Sequence, residues 1–328
     1  MANPNSPAEL TAQDIEKLWD NAADPDDYPA LRPHRVTQEG EPAGLPDDVV
    51  ELARAAADQL TRRRRRRRRR SGDKPKSSPP PGEAAGEALH ALMEMLEVPE
   101  EAYAVGPYTV VLHVDEEEAR GYPPMPDGYG FKGGVSRKAL ARALRLPIST
   151  AAVRDIDLLR AADASDDHDR ELSERFMTED MILGNAKVEA LVSPRDYFAT
   201  REVTMNQLFY LDGEIQVTPI GLLDTLGGVI RVTQGHLNTN RGRTHPIVAF
   251  KALRFAANLL AEGREPLITP FRTDFRRRPH PFAFFLALQL SRAYESGPET
   301  AEFYVEYARQ WGLLDQANLP DTITAAEA

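Results

Sequence analysis

Phe131–Leu140 reads FKGGVSRKAL and Ala152–Leu159 reads AVRDIDLL, and the fold turns on these two stretches taken together. Gly133 and Gly134 stand immediately before a helix-forming run, Ser136–Leu146 (SRKALARALRL). Adjacent glycines let the backbone approach a phosphate closely, and a helix N-terminus offers oriented N–H groups and the positive end of a dipole. By itself such a pair marks any tight turn. Asp155-Ile156-Asp157 follows, 21 residues after Gly134, inside an apolar run with strand character. Side chains alternate along a strand, so residues i and i+2 share a face. Two carboxylates together on an apolar strand repel each other, which calls for a cation, and oxygen-only donors favour magnesium or manganese. Such an ion bridges triphosphate oxygens and activates an attacking hydroxyl. A lone D-x-D fits equally well an exposed strand end or a sugar-nucleotide metal site. The order Gly-Gly, helix, D-x-D points to phosphoryl transfer.

Outward from this pair, Lys187–Val192 (KVEALV), Gln207–Leu211 (QLFYL) and Glu214–Val217 (EIQV) read as short strands. Tyr108–Val114 (YTVVLHV) is a further β-rich run, either in the sheet or flanking it. Glu87–Leu96 has helical spacing, Asp163–Asp169 (DASDDHD) reads as a loop, and Glu171–Glu179 as a short helix. From Pro246 onward the pattern turns helical, over Ile247–Ala261, Pro281–Tyr294 and Glu299–Trp311. The expectation is an α+β fold with a mixed sheet flanked by helices, followed by a small all-helical segment. The domain boundaries read from it are a head over 84–235, a helical C-terminal domain over 236–316, and a disordered tail over 317–328.

Three further segments extend the pattern: Thr200–Tyr210 (TREVTMNQLFY), Leu211–Ile230 (LDGEIQVTPIGLLDTLGGVI) and His245–Ala256 (HPIVAFKALRFA). With FKGGVSRKAL and RDIDL they resemble, in order from Phe131 to Phe255, the head domain of tRNA CCA-adding enzymes and bacterial poly(A) polymerases. That family belongs to the polymerase-beta-like nucleotidyltransferase superfamily. The resemblance implies a nucleotidyltransferase-type sheet, with the helical segment as a neck. It implies that Asp155 and Asp157 coordinate Mg2+ (or Mn2+), and that Gly133, Gly134 and Arg137 cradle the triphosphate of an NTP such as ATP. Arg201, Glu202 and Asn206 then position the nucleotide. Glu189 completes a carboxylate triad in the family manner, or is an edge-strand charge facing water; Asp196 is a weaker candidate. Asp224 stands at the second aspartate of the family's D-P-x-G-G-x-x-D-L segment, and Arg254 is retained in the last one.

The departures bear on specificity. Thr200 replaces the first arginine of the family's R-R-D, and Thr218 stands where the hairpin segment begins with aspartate. The helix positions that read the incoming base are Thr244, His245 and Val248 here, so the device for choosing C and A is lost. Ordinary CCA addition is thereby disfavoured, while the metal chemistry is untouched.

At 41% hydrophobic and 28% charged, the 328-residue chain has the composition of a globular protein, with no apolar run of the roughly 20 residues a membrane span needs. The start, MANPNSPAEL, lacks the features of a secretion signal. Zero cysteines exclude disulfides, thiolate metal sites and cysteine nucleophiles, and suit a reducing cytosol. No membrane partner and a cytoplasmic location are the expectations. The net charge of −11 is unevenly spread. Residues 1–61 carry 13 acidic and four basic side chains, whereas residues 62–82 hold nine consecutive arginines, Lys74 and Lys76 against Asp73. The rest is acidic, unlike a nonspecific nucleic-acid binder. Residues 1–60 read as an acidic, weakly helical region around Ala12–Ala22 and Pro46–Leu60. Residues 61–83 read as a disordered Arg/Pro-rich linker that either contacts RNA or serves as a solvated spacer.

His236, His245 and His280 lie beside Gly or Pro without zinc spacing, and Asp166, Asp167 and Asp169 lack the glycine and terminal glutamate of a calcium loop. Two basic patches, Arg241/Arg243 and Arg272/Arg276/Arg277/Arg278, either grip RNA or are solvated turns. The expected activity is transfer of NMP to an acceptor hydroxyl, an RNA 3′ end, a protein or a small molecule, with loss of pyrophosphate. A nucleotide- or RNA-binding regulatory protein without turnover is the alternative.

Overall fold

The structure is a computed structural model that describes residues 45–70, 83–114, 125–146, 156–175, 188–237, 245–273, 282–314, 319 and 321–324. The chain divides into two compact units, one formed by residues 44–148 and 153–229, the other mainly by residues 230–328. The expected helix at Ala12–Ala22, Asp155, the basic residues Arg241 and Arg243, and Arg276–Arg278 lie outside the described residues.

The first unit is an α+β layer built on a seven-stranded mixed sheet. Its strands are β1 (Tyr103–Val105), β2 (Val110–His113), β3 (Tyr129–Lys132), β4 (Asp157–Ala161), β5 (Glu189–Leu191), β6 (Leu208–Leu211) and β7 (Glu214–Val217). Their spatial order is β1-β2-β7-β6-β3-β4-β5. Every neighbouring pair is antiparallel except β4 and β5, where Leu159 stands beside Glu189 in parallel register. Of the run Tyr108–Val114, Val110–His113 thus belongs to the sheet as β2, which pairs with β7.

Alternation explains the sheet's two faces. Phe131, Leu158, Leu208, Tyr210, Ile215 and Val217 point to one core. Helices α1 (Asp47–Arg70), α2 (Glu83–Met95), α3 (Gly133–Ala143) and α6 (Pro219–Leu226) bring Val49, Leu92, Leu140 and Leu223 to it. Leu159, Leu191 and Phe209 point the other way, under Tyr197 and Phe198 of the short helix α5 (Pro194–Ala199). Helix α4 (Asp169–Arg175) follows the acidic loop. Gly130 is demanded by packing: a Cβ there would lie 2.0 Å from the Tyr210 carbonyl oxygen of the adjoining strand. The β6–β7 hairpin turns on Asp212 and Gly213, both left-handed (φ 49° and 80°), the pair that a type I′ turn selects.

The N-terminal region differs from the sequence expectation. Helix α1 runs unbroken from Asp47 to Arg70, across the expected boundary at 60 and into the expected linker. Its buried face is Val49, Ala53, Ala56 and Ala57, mostly alanine, which gives a weak hydropathy signal but lets α1 lie close against its neighbours. Arg54 Nε donates to the Gly227 carbonyl at 2.8 Å, tying α1 to the end of α6.

The second unit holds α7 (Gln234–Leu237), α8 (Pro246–Ala261), α9 (Phe282–Ser296) and α10 (Pro298–Gln310). The last three pack through Phe250, Leu253, Leu286, Leu290, Tyr304 and Val305, all buried. Thr322–Ile323 falls within the expected disordered tail, yet it is a strand paired antiparallel with Phe271–Arg272. A buried β-branched side chain, Ile323, accounts for the difference. Among the described residues no helix is long and apolar enough to cross a membrane.

Candidate active site

The site lies where β3 ends and α3 begins. Gly133 opens α3 with φ 66°, a left-handed conformation that the missing Cβ makes accessible. A Cβ on Gly133 would sit 2.6 Å from Asp157 Oδ2, so the glycine turn and the start of β4 are in van der Waals contact. Gly134 is the next residue of the same first turn. Helix α3 ends where Arg145 turns left-handed (φ 53°) and Leu146 N–H returns to Ala141 O at 2.8 Å.

Asp157 is the first residue of β4, which starts five residues later than the strand expected at Ala152–Leu159, and it is exposed. It stands opposite Lys132 in antiparallel register. Lys132 reaches across to β5, where its Nζ lies 2.5 Å from Glu189 Oε2. The other oxygen, Glu189 Oε1, accepts from Arg201 Nη2 at 3.0 Å. Arg201 also donates to Thr200 Oγ1 at 2.8 Å and lies 4.2 Å over the Tyr197 ring, a cation–π arrangement. Glu189 therefore bridges two cations, and the side chains of Lys132 and Arg201 are only 15% and 20% exposed. Burial pushes the Tyr197 phenol well above its ordinary value; Arg201 opposes that shift, while Glu189 and Asp157 add to it. Asp157, Glu189 and Arg201 thus share one electrostatic neighbourhood around Tyr197.

A second linkage joins the remaining candidates. Arg137, on the second turn of α3, donates to Asn206 Oδ1 at 2.5 Å. Asn206 closes a 3-10 turn, Thr204–Asn206, that feeds β6. From the same turn Thr204 Oγ1 donates to Asp224 Oδ2 at 2.6 Å, and Asp224 is fully buried. The second aspartate of the sequence pattern is thus a buried tether between the turn and α6. Thr218, in the place of an aspartate, caps α6: its Oγ1 accepts from Gly221 N–H and donates to Gln207 Oε1, each at 3.0 Å. Glu202 lies between α5 and the 3-10 turn.

Asp196, the other candidate carboxylate, serves as part of the N-cap of α5. Its N–H donates to Ser193 Oγ at 3.1 Å, and Ser193 Oγ donates to its Oδ2 at 2.8 Å. In the acidic loop Asp169 Oδ1 lies 2.7 Å from the Tyr129 hydroxyl and 3.1 Å from Arg160 Nε, an internal fastening. Burial, reinforced by the Asp169 bond, pushes the Tyr129 phenol up to about 12.

Of the sequence candidates, the fold brings Gly133 to Asp157 and Glu189 to Arg201, and pairs Arg137 with Asn206. Lys132 and Tyr197 were missed. The signal for Lys132 was its place directly before the glycines; nothing in the sequence marked Tyr197. Among the described residues no three His, Asp or Glu side chains gather as a metal cage, and Asp155 is not one of those residues. The donor chemistry at this corner is carboxylate oxygen beside a glycine turn, which fits a hard divalent cation. Comparison with protein-family models, with curated proteins and with solved structures found no match.

Proposed function

We propose that the sheet unit is a divergent, template-independent nucleotidyltransferase of the CCA-adding and poly(A) polymerase type, with the helical unit as its neck-like companion. The observation that carries this is the abutment of Gly133 on Asp157, a glycine turn at a helix N-terminus touching the first residue of β4. The acceptor oxygen attacks the α-phosphorus of an NTP in line, the bond to the β-phosphate bridging oxygen breaks, and pyrophosphate leaves. Asp155 and Asp157 hold Mg2+, which when bound neutralises phosphate charge and lowers the pKa of the acceptor hydroxyl.

The chain's own residues do the positioning. The first turn of α3 offers backbone N–H groups at Gly133 and Gly134 to the triphosphate. Arg137 adds a guanidinium whose direction Asn206 fixes. Lys132 and Arg201 supply further positive charge, and Glu189, bonded to both, holds them on one side of the sheet. Glu202 lies near the nucleotide. Catalysis then rests on orientation and charge neutralisation. The pairing of Glu189 with both Lys132 and Arg201 favours a second reading, a nucleotide-binding regulator without turnover.

The test is incubation with Mg2+ and each α-labelled NTP, using total RNA and a protein lysate as acceptors. Label transfer that disappears in Asp155→Ala/Asp157→Ala is the expected result and identifies the acceptor class. Nucleotide binding without transfer supports the regulator, and neither binding nor transfer overturns both readings.

A further inference from the structure

Helix α1 passes without a break from its buried segment into Arg62–Arg70. Val49, Ala53, Ala56 and Ala57 are buried, and Leu60 packs partly buried on the same core. Continued at helical spacing, that stripe reaches residues 63, 64 and 67, all arginine. The apolar anchor therefore ends at Leu60, and the final nine residues carry nine positive charges on a helix rooted in the folded unit. At 1.5 Å rise per residue they span about 13 Å. One charge per 1.5 Å of axis nearly matches the one phosphate per roughly 1.7 Å of a nucleic-acid duplex.

Like charges at i,i+3 and i,i+4 disfavour a helix. Asp58 meets Arg62 at 3.6 Å from the preceding turn, and the run from Arg62 to Arg70 contains no acidic residue. We propose that the Arg62–Arg70 segment of α1 is a docking helix for the phosphodiester backbone of nucleic acid, tethered through its N-terminal half to the sheet unit. A lipid surface fits less well, because an interfacial helix needs an apolar face and this segment has no apolar residue. Nine arginines without a lysine suit the paired N–H fork that binds phosphate oxygens. The acidic remainder of the chain repels a polyanion, so contact with phosphate is confined to this helix. The proposal does not rest on nucleotidyl transfer.

The test uses the full chain without nucleotide, reading fluorescence anisotropy of a labelled single-stranded RNA of mixed sequence and of a labelled duplex DNA. With about five phosphates neutralised on a single strand, a fourfold rise in salt weakens binding roughly 100-fold. Replacing Arg63, Arg65, Arg67 and Arg69 with glutamine weakens binding at least tenfold at fixed salt and flattens the salt slope. Lysine at the same four positions keeps the slope, which separates charge from folding. Circular dichroism checks that each variant keeps its helix. Nucleic-acid binding unchanged by the glutamine variant overturns the proposal. So does capture by phosphatidylserine vesicles or polyglutamate in preference to both nucleic acids.

Discussion

Substituting Gly133 by alanine separates two effects that the structure superposes at one residue. The φ of 66° is left-handed, which costs a residue with a Cβ about 1–2 kcal/mol. The added methyl also lands 2.6 Å from Asp157 Oδ2. That oxygen is the end of a rotatable side chain, so it moves aside for about 0.5–1.5 kcal/mol of rotamer strain. The expected loss for Gly133→Ala is therefore roughly 1.5–3.5 kcal/mol. Gly213 isolates the first term: its φ is 80°, and a Cβ there meets nothing within 4 Å. Gly213→Ala should lose about 1–2 kcal/mol and no more. Asp157→Ala should recover the difference in Gly133→Ala while leaving the cost of Gly213→Ala untouched, giving a coupling of about 0.5–1.5 kcal/mol in a double-mutant cycle. Urea unfolding with a common m-value measures all six proteins, the parent, the three single variants and the two doubles with Asp157→Ala. Equal losses at Gly133 and Gly213, or zero coupling between Gly133 and Asp157, would refute the contact on which the active-site assignment depends.

Glu189→Gln leaves Lys132 and Arg201 close together without their shared carboxylate; thermal unfolding should show a loss of about 1–3 kcal/mol, and Glu189→Asp a smaller one. Thr204→Val strips a donor from the fully buried Asp224, so urea unfolding should report a loss of about 2–3 kcal/mol, with Thr204→Ser close to the parent. Tyr129 titrates near 12 when folded and near 10 when unfolded, so the native state holds the proton more tightly. The stability it contributes is complete below pH 10 and is lost as pH rises from 10 to about 12; Tyr129→Phe should make that alkaline decline shallower in stability measured against pH. Gln289, buried in α9, has no hydrogen-bond partner for either side-chain atom among the described residues. Gln289→Met should therefore leave the melting temperature unchanged or raise it, and a fall would reveal a partner for the amide.

Some of this molecule is written locally and some is not. Helix α8 was expected at Ile247–Ala261 and spans Pro246–Ala261, and β7 was expected at its observed limits, Glu214–Val217. In both, apolar periodicity and turn chemistry act on near neighbours in the chain: His245 and Pro246 start α8, and Asp212-Gly213 turns the chain into β7. The mixed α+β character follows from the same local signals. The packing of α1 against α2 and α6 was not legible, because its buried face is largely alanine and gains its energy from close approach to other helices rather than from side-chain hydropathy.

The candidate site divides the same way. By itself the sequence determined that a glycine pair opens a helix, a statement about bonds a few residues apart; the strand expected to hold both aspartates begins at Asp157 among the described residues. Only the tertiary structure decided what those groups touch. Gly133 meets Asp157 because β3 and β4 are antiparallel neighbours with Lys132 opposite Asp157. Glu189, readable either as a metal ligand or as a solvent-facing charge, joins Lys132 to Arg201 because β5 runs parallel beside β4. Asp224 became an internal tether through Thr204, twenty residues away in sequence. A carboxylate's partner is set by Coulomb attraction over a few ångströms of space. Strand order and register fix those distances, and no spacing along the chain encodes them.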